Sequence, residues 1–288
     1  MTTDGLPNPE VVQLQVADGV GLITLNRPER RNALHRDMYE PIQTSLRQWA
    51  TDDAVGCIAI TGAGEGFCAG GDVRGGGKRR GDRPPPDVDE TTSALLADAQ
   101  TARLLHESPK LTLAAVNGAA VGAGLALALA CDFRIMASSA SLIPGWARLA
   151  FSGDFGGPWF LTRLVGASKA LEILTANAKV DAPTALSLGL VNRVADDGDF
   201  ADAWLSWARE LAAGPRQAHA FMKENVRDAL HLPLSEALPR ESRRMSQSAR
   251  TPDHREAVRA WLDKRPPDFS RSDREDASSP DQGGGGAL

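Results

Sequence analysis

Residues 111–130, LTLAAVNGAAVGAGLALALA, form an uncharged run long enough to cross a bilayer. A run of this kind can become a membrane helix or the buried centre of a globular α/β domain. Its interruptions favour the second. Asn117 and the glycines at 118, 122 and 124 break the middle, and Cys131-Asp132 follow at once. The pattern predicts a buried strand over 111–116, a glycine-rich turn, and an apolar helix over 122–130. A transmembrane helix is not expected.

The rest of the chain fits around that centre. Val11–Gln15 and Val20–Leu25 are short β-type runs separated by Ala17-Asp18-Gly19, a hairpin signal. Met38, Ile42, Leu46 and Trp49 make a helical stripe over 36–50, and 55–60 is a compact apolar strand. A helix is expected over 91–106 and strands near 133–136 and 142. From Gly157 onward the reading is nearly all helix. Segments 203–213, 217–229, 234–247 and 253–263 are separated by Gly214-Pro215, Pro233 and Thr251-Pro252, and Pro239 falls inside the third. Residues 75–86, GGGKRRGDRPPP, predict a mobile loop. The glycine-rich end predicts a disordered tail. The expected organisation is therefore an α/β core over 1–200, a helical module over 201–266 and a tail over 267–288.

Several function classes are excluded early. In 288 residues, 42% are hydrophobic and 24% charged, too apolar for a wholly disordered chain. A net charge of −5 gives no overall basic face for nucleic acid. Three cysteines with apolar neighbours and a start lacking a signal-peptide pattern point to a reducing, cytoplasmic setting. No two histidines lie three to five residues apart and no Cys-x-x-Cys exists, so no metal site is expected. The segments Gly62-Ala63-Gly64-Glu65-Gly66 and Gly122-Ala123-Gly124 each follow a strand, but neither completes a phosphate-loop or dinucleotide motif. A Gly-x-Ser-x-Gly nucleophile elbow is absent. His106 reads as a polar contact at a helix end.

Two glycine-rich turns after buried strands remain: Phe67-Cys68-Ala69-Gly70-Gly71-Asp72 and 117–124. Small residues let a ligand approach backbone N–H groups closely, and a helix N-terminus adds unpaired donors. Two such turns facing each other would make an oxyanion hole. From spacing alone, simple packing of strand against helix explains them equally well.

An ordered set of short motifs carries a resemblance. It comprises Leu25-Asn26-Arg27-Pro28 with Asn32-Ala33-Leu34, Thr61-Gly62 with Phe67–Asp72, and Ala114-Ala115-Val116-Asn117-Gly118. Further along come Gly122-Ala123-Gly124 with Cys131-Asp132, Gly156-Gly157 with Leu164-Val165-Gly166, and Ala185 with Gly189-Leu190-Val191. On these the chain resembles the crotonase superfamily, the enoyl-CoA hydratase/isomerase family, from about residue 10 to 269. The resemblance implies a spiral of ββα units with a C-terminal helical module that supports homo-trimers or hexamers. It implies an acyl-coenzyme A thioester as substrate and no separate cofactor, since coenzyme A is part of the substrate. Nucleic-acid and membrane partners are not expected. The N–H groups of Gly71 and Ala123 would grip the thioester oxygen. Ala69, Asp72 and Val73 would border the CoA arm, Arg31 or Arg30 would meet its phosphates, and Trp146 would wall the acyl pocket. Lys264, in Trp261-Leu262-Asp263-Lys264-Arg265, would reach the adenine-side phosphate, often from a neighbouring subunit. Asp132 reads as structural, tying strand to turn.

The chain departs from the hydratase pattern. The two positions that carry glutamates in that family's hydratases fall at Ala126 and Trp146, and neither can transfer a proton. Asp154, just before Phe155-Gly156-Gly157, falls where isomerase branches place an aspartate that moves protons. Burial beside Trp146, Phe151 and Phe155 is expected, and an N-cap is the alternative reading. A tryptophan and a nucleophilic aspartate occupy these positions in the 4-chlorobenzoyl-CoA dehalogenase branch. That branch also needs a histidine where this chain has Ala99, and His106 lies about two helical turns away. The favoured expectation is enoyl-CoA double-bond isomerisation with Asp154 as acid/base. Hydratase-like, hydrolytic or dehalogenase-like activity, or silent acyl-CoA binding, are the alternatives.

Overall fold

The computed structural model describes residues 11–72 and 87–269. The chain divides into two compact units, Met1–Ala212 and Ala213–Leu288. Val73, the loop expected over 75–86 and the tail beyond 269 lie outside the described residues.

The first unit opens with the expected hairpin. β1 (Val12–Ala17) pairs antiparallel with β2 (Val20–Leu25), and Asp18 and Gly19 make the turn in the left-handed region that a two-residue hairpin needs. Helix α1 (Arg36–Thr51) buries Met38, Ile42, Leu46 and Trp49, the stripe read from the sequence. Next come β3 (Cys57–Gly62), α2 (Val88–Glu107), β4 (Leu111–Val116), β5 (Ala119–Val121) and α3 (Ala123–Ala130). Strands β6 (Phe133–Ala137) and β7 (Ser141–Ile143) follow, then α4 (Gly157–Val165) and α5 (Ala167–Ala176). The unit closes with β8 (Val180–Asp181), α6 (Ala182–Ser187), β9 (Arg193–Ala195) and α7 (Phe200–Ala212).

One sheet has the strand order β1-β2-β3-β4-β6-β9, parallel from β2 onward, and a small second sheet has the order β5-β7-β8. The units β4-β5-α3 and β6-β7-α4 each give one strand to the large sheet and the next to the small one, then a helix. Every residue of β3 and β4 is buried, as parallel strands covered on both faces must be. All eight residues of α3 are buried too, so that helix is apolar on every side. The run 111–130 is thus a buried strand, a short strand and a buried helix. Among the described residues no helix is long and apolar enough to cross a membrane.

Two expectations change. The reading of 157 onward as nearly all helix overlooked β8 and β9, which have two and three residues and show no periodicity of their own. The core also runs past residue 200. Trp204, Trp207, Ala208 and Ala212 of α7 are buried, and α7 contacts β2, β3, β4 and β6, so it belongs to the first unit.

The second unit contains α8 (Arg216–Ala229), α9 (Leu234–Ser248) and α10 (Pro252–Leu262). Arg244 of α9 bonds Asp228 at 2.7 Å and Glu224 at 2.8 Å on α8. Helix α9 starts at Leu234 and keeps Pro239 inside it. The Thr251 hydroxyl accepts from His254 N–H and caps α10. Of the expected tail, residues 267–269 are described.

Candidate active site

Local hydrogen bonds explain why the two glycine-rich turns meet. The Asn32 amide donates to the carbonyls of Ala63 (2.9 Å) and Gly66 (2.7 Å), and its oxygen accepts from Arg27 N–H. The Asn117 oxygen accepts from Gly62 N–H, and its amide donates to Gly64 O. The loop between β3 and Cys68 is therefore pinned from both sides. Cys68 then pairs with β5: its N–H donates to Ala119 O, and its carbonyl accepts from Val121 N–H at 2.8 Å. A side chain at Gly70 would sit 2.9 Å from Val121 O and 3.7 Å from Ala123 N, and Gly70 has φ +87°. A side chain at Gly124 would overlap Cys68, 2.6 Å from its carbonyl oxygen. Glycine at both positions is what lets the turns touch.

This contact leaves two donors free. Leu34 pairs with the first turn through Gly70 O and Asp72 N–H, a pairing that skips Gly71 N–H. Ala123 is the first residue of α3, and the opening N–H groups of a helix have no partner within it. Among the described residues neither N–H has a backbone hydrogen-bond partner. Gly71 and Ala123 line one cavity of about 490 Å³, together with Asp154 and Phe155.

Asp154 is placed by Trp146. The indole Nε1–H donates to Asp154 Oδ1 at 2.8 Å. Trp146 is buried, and a side chain on Gly157 would collide with its ring, so the indole packs against the start of α4. The N-cap of α4 is Gly156, with no side-chain cap bond. Asp154 contributes only its backbone carbonyl there, to Gly157 N–H, so the cap alternative does not describe its carboxylate. Phe155 is buried and lines the cavity, but Phe151 is 62% exposed and does not enclose Asp154, which is half-buried. Ala126 is buried inside α3.

A second cavity of about 450 Å³ shares Gly71 and Asp72 with the first and is bordered by Arg30, Arg31 and Ala69. The two make one cleft with a basic mouth. The Asp72 carboxylate bonds Arg27 at 2.9 Å in a nearly buried pair, so the side chain braces the turn and only the rest of the residue borders the cleft. Asp132 Oδ2 accepts from both Thr112 N–H and Thr112 Oγ1–H, linking β4 to the end of α3. Lys264 lies in the second unit, just after α10, and is exposed. Cys68, wholly buried under the first turn, has its thiol pushed up to about 12 by burial and stays protonated at neutral pH. Among the described residues no group of three or more His, Cys, Asp or Glu is arranged to hold a metal ion.

The sequence reading missed Tyr39 and Asp98, which line the same cavity from α1 and α2. Gln43, one turn after Tyr39, donates to Ala97 O and Thr101 Oγ1, which fixes α1 against α2. Tyr39 stacks near Phe155, with ring centroids 5.9 Å apart. Burial raises the Asp98 carboxyl. Burial, and then the charges of Asp98, Cys68 and Asp154, push the Tyr39 hydroxyl well up.

A ββα spiral with two backbone donors across a cleft defines the crotonase-like class of acyl-CoA enzymes. The chain belongs to the enoyl-CoA hydratase/isomerase family, whose model matches residues 15–272. It is 36% identical over 259 residues to a probable enoyl-CoA hydratase of Rhodobacter capsulatus, covering 90% of this chain and 97% of that protein. It is 35% identical over 261 residues to 1,2-epoxyphenylacetyl-CoA isomerase of Escherichia coli, covering 91% and 98%. The solved structure of an enoyl-CoA hydratase from Bacillus anthracis superimposes with a TM-score of 0.83 at 30% identity, covering 90% of this chain and 99% of that one.

Proposed function

We propose that the protein isomerises the double bond of an enoyl-CoA thioester, with Asp154 as the single acid/base. The observation that carries this reading is the one cavity that joins Gly71, Ala123 and Asp154. The thioester oxygen accepts from the N–H groups of Gly71 and Ala123. Asp154 removes a proton from the α-carbon, and the electron pair moves to the oxygen. Each such donor is worth roughly 10²–10³ in rate, because it is already in place when charge develops. The carboxylic acid then returns the proton to the γ-carbon, so one group completes the 1,3-shift. Trp146 holds the carboxylate that does this. Ala126 and Trp146 stand at the two positions that carry glutamates in the family's hydratases, which disfavours the two-glutamate hydration route. The similarity to 1,2-epoxyphenylacetyl-CoA isomerase supports an isomerase acting on a CoA thioester.

The CoA arm runs across Ala69 and Gly71 to Arg30 and Arg31, whose charge meets phosphates at the basic mouth. Lys264 of a neighbouring subunit completes the phosphate contacts in a homo-trimer or hexamer. The test is proton–deuterium exchange at the α-carbon of a panel of acyl-CoAs, followed by NMR. Exchange with at least one thioester, and none with the matching free acid, is expected. Tight binding of the whole panel without exchange would show a silent binder and overturn the reading.

A further inference from the structure

Tyr39 and Asp98 are polar groups that the isomerisation chemistry does not use. They enter the cavity from two helices that Gln43 clamps together, on a lining that also includes Leu34, His35, Arg36, Leu95 and Phe155. Among the described residues no hydrogen bond or ion pair reaches the Tyr39 hydroxyl or the Asp98 carboxyl. Neither group is a buried atom left without a partner, so water serves both in the free protein, and a ligand that displaces this water must replace its hydrogen bonds. A plain alkyl chain would displace it and leave both unsatisfied.

Building on the acyl-CoA reading above, we propose that Tyr39 and Asp98 are specificity-determining residues that hydrogen-bond an oxygen substituent on the acyl chain. The preferred substrate class is then an oxygenated acyl-CoA rather than a simple fatty acyl-CoA. The Tyr39 hydroxyl, pushed well up by burial, stays a donor throughout the neutral range, and the Asp98 carboxylate can accept from a hydroxyl. The pair can therefore hold one hydroxyl group, Tyr39 donating to its oxygen and Asp98 accepting from its hydrogen. The thioester end stays with Gly71 and Ala123, so the substituent selects which chain enters and leaves the reacting carbons to Asp154.

The experiment uses matched thioesters that differ by one oxygen, such as butyryl-CoA against 3-hydroxybutyryl-CoA, and longer or aromatic pairs built the same way. Calorimetry gives the affinity ratio within each pair for the full-length protein and for Tyr39→Phe, Asp98→Asn and Asp98→Leu. The unsubstituted partner serves as internal control in every variant, and circular dichroism checks folding. The wild type should favour an oxygenated partner by about ten- to a hundredfold in at least one pair. Tyr39→Phe and Asp98→Leu should each bring that ratio towards one, while Asp98→Asn, which keeps an acceptor oxygen, should retain part of it. Wild-type ratios near one in every pair would overturn the proposal and leave acyl-CoA binding intact. Ratios unchanged in Tyr39→Phe and Asp98→Leu would overturn it as well. Failure to bind any thioester would instead overturn the underlying acyl-CoA reading.

Discussion

Replacing Asp154 by asparagine separates chemistry from architecture. The indole of Trp146 donates to Asp154 Oδ1 at 2.8 Å, and an asparagine oxygen can accept the same bond. What is lost is a unit of charge. A hydrogen bond to a charged group is worth about 1.5–3 kcal/mol and a neutral one about 1, so the fold should lose about 1 kcal/mol. In a unit of this size that lowers the melting temperature by roughly 2–4 °C. Thioester affinity should hold, because the donors at Gly71 and Ala123 are backbone groups that the change does not touch. Removing a positioned acid/base should slow α-proton exchange by roughly 10²- to 10⁴-fold, or about 3–5 kcal/mol of barrier. The assay pairs deuterium exchange by NMR with calorimetric binding and thermal melting. Exchange unchanged in a folded, thioester-binding Asp154→Asn protein would refute the assignment of Asp154 to proton transfer.

Other outcomes follow from neighbouring contacts. Trp146→Phe keeps a ring against Gly157 but removes the donor to Asp154. Exchange should fall by about tenfold and stability by about 1–3 kcal/mol, while unchanged exchange in that variant would show that the indole does not position the carboxylate. In the second unit, Glu256 accepts two bonds from Arg265 and one from Asp268 N–H, and these hold its carboxyl down at about 2. A depressed carboxylate stabilises above its unfolded value, near 4.5, and loses that contribution as pH falls towards 2. Protection from hydrogen exchange over 252–268, taken relative to the intrinsic rate at each pH, should therefore fall below about pH 4.5, and Glu256→Gln should show the lower protection already at pH 7. Light scattering at micromolar concentration should give a trimer or a dimer of trimers, and a monomer would count against Lys264 acting across subunits.

How far the sequence speaks depends on how local each cause is. The hairpin turn at Asp18-Gly19, the stripe of α1 and the full burial of β3 and β4 were legible because each is written in neighbouring residues. The glycines at 70, 71 and 124 were legible as turns, but from spacing alone an oxyanion hole and plain packing explained them equally. In the structure the two turns touch. Gly124 is needed so that α3 can touch Cys68, and that same contact brings Ala123 N–H beside the Gly70-Gly71 turn. Packing and donor placement are one requirement. Strands β5, β8 and β9 escaped because two or three residues show no period and become strands only through their partners. Tyr39 and Asp98 escaped for the same reason at the level of side chains. Each looks like an ordinary residue on an amphipathic helix. What joins them is Gln43 reaching across 54 positions to Ala97, a contact that the spacing of neither helix shows. Backbone donors come from turns a sequence spells out, whereas the side chains that choose the acyl group come from helix crossings that it does not. Selectivity in this chain should therefore change through substitutions on α1 and α2 with the glycine turns left alone.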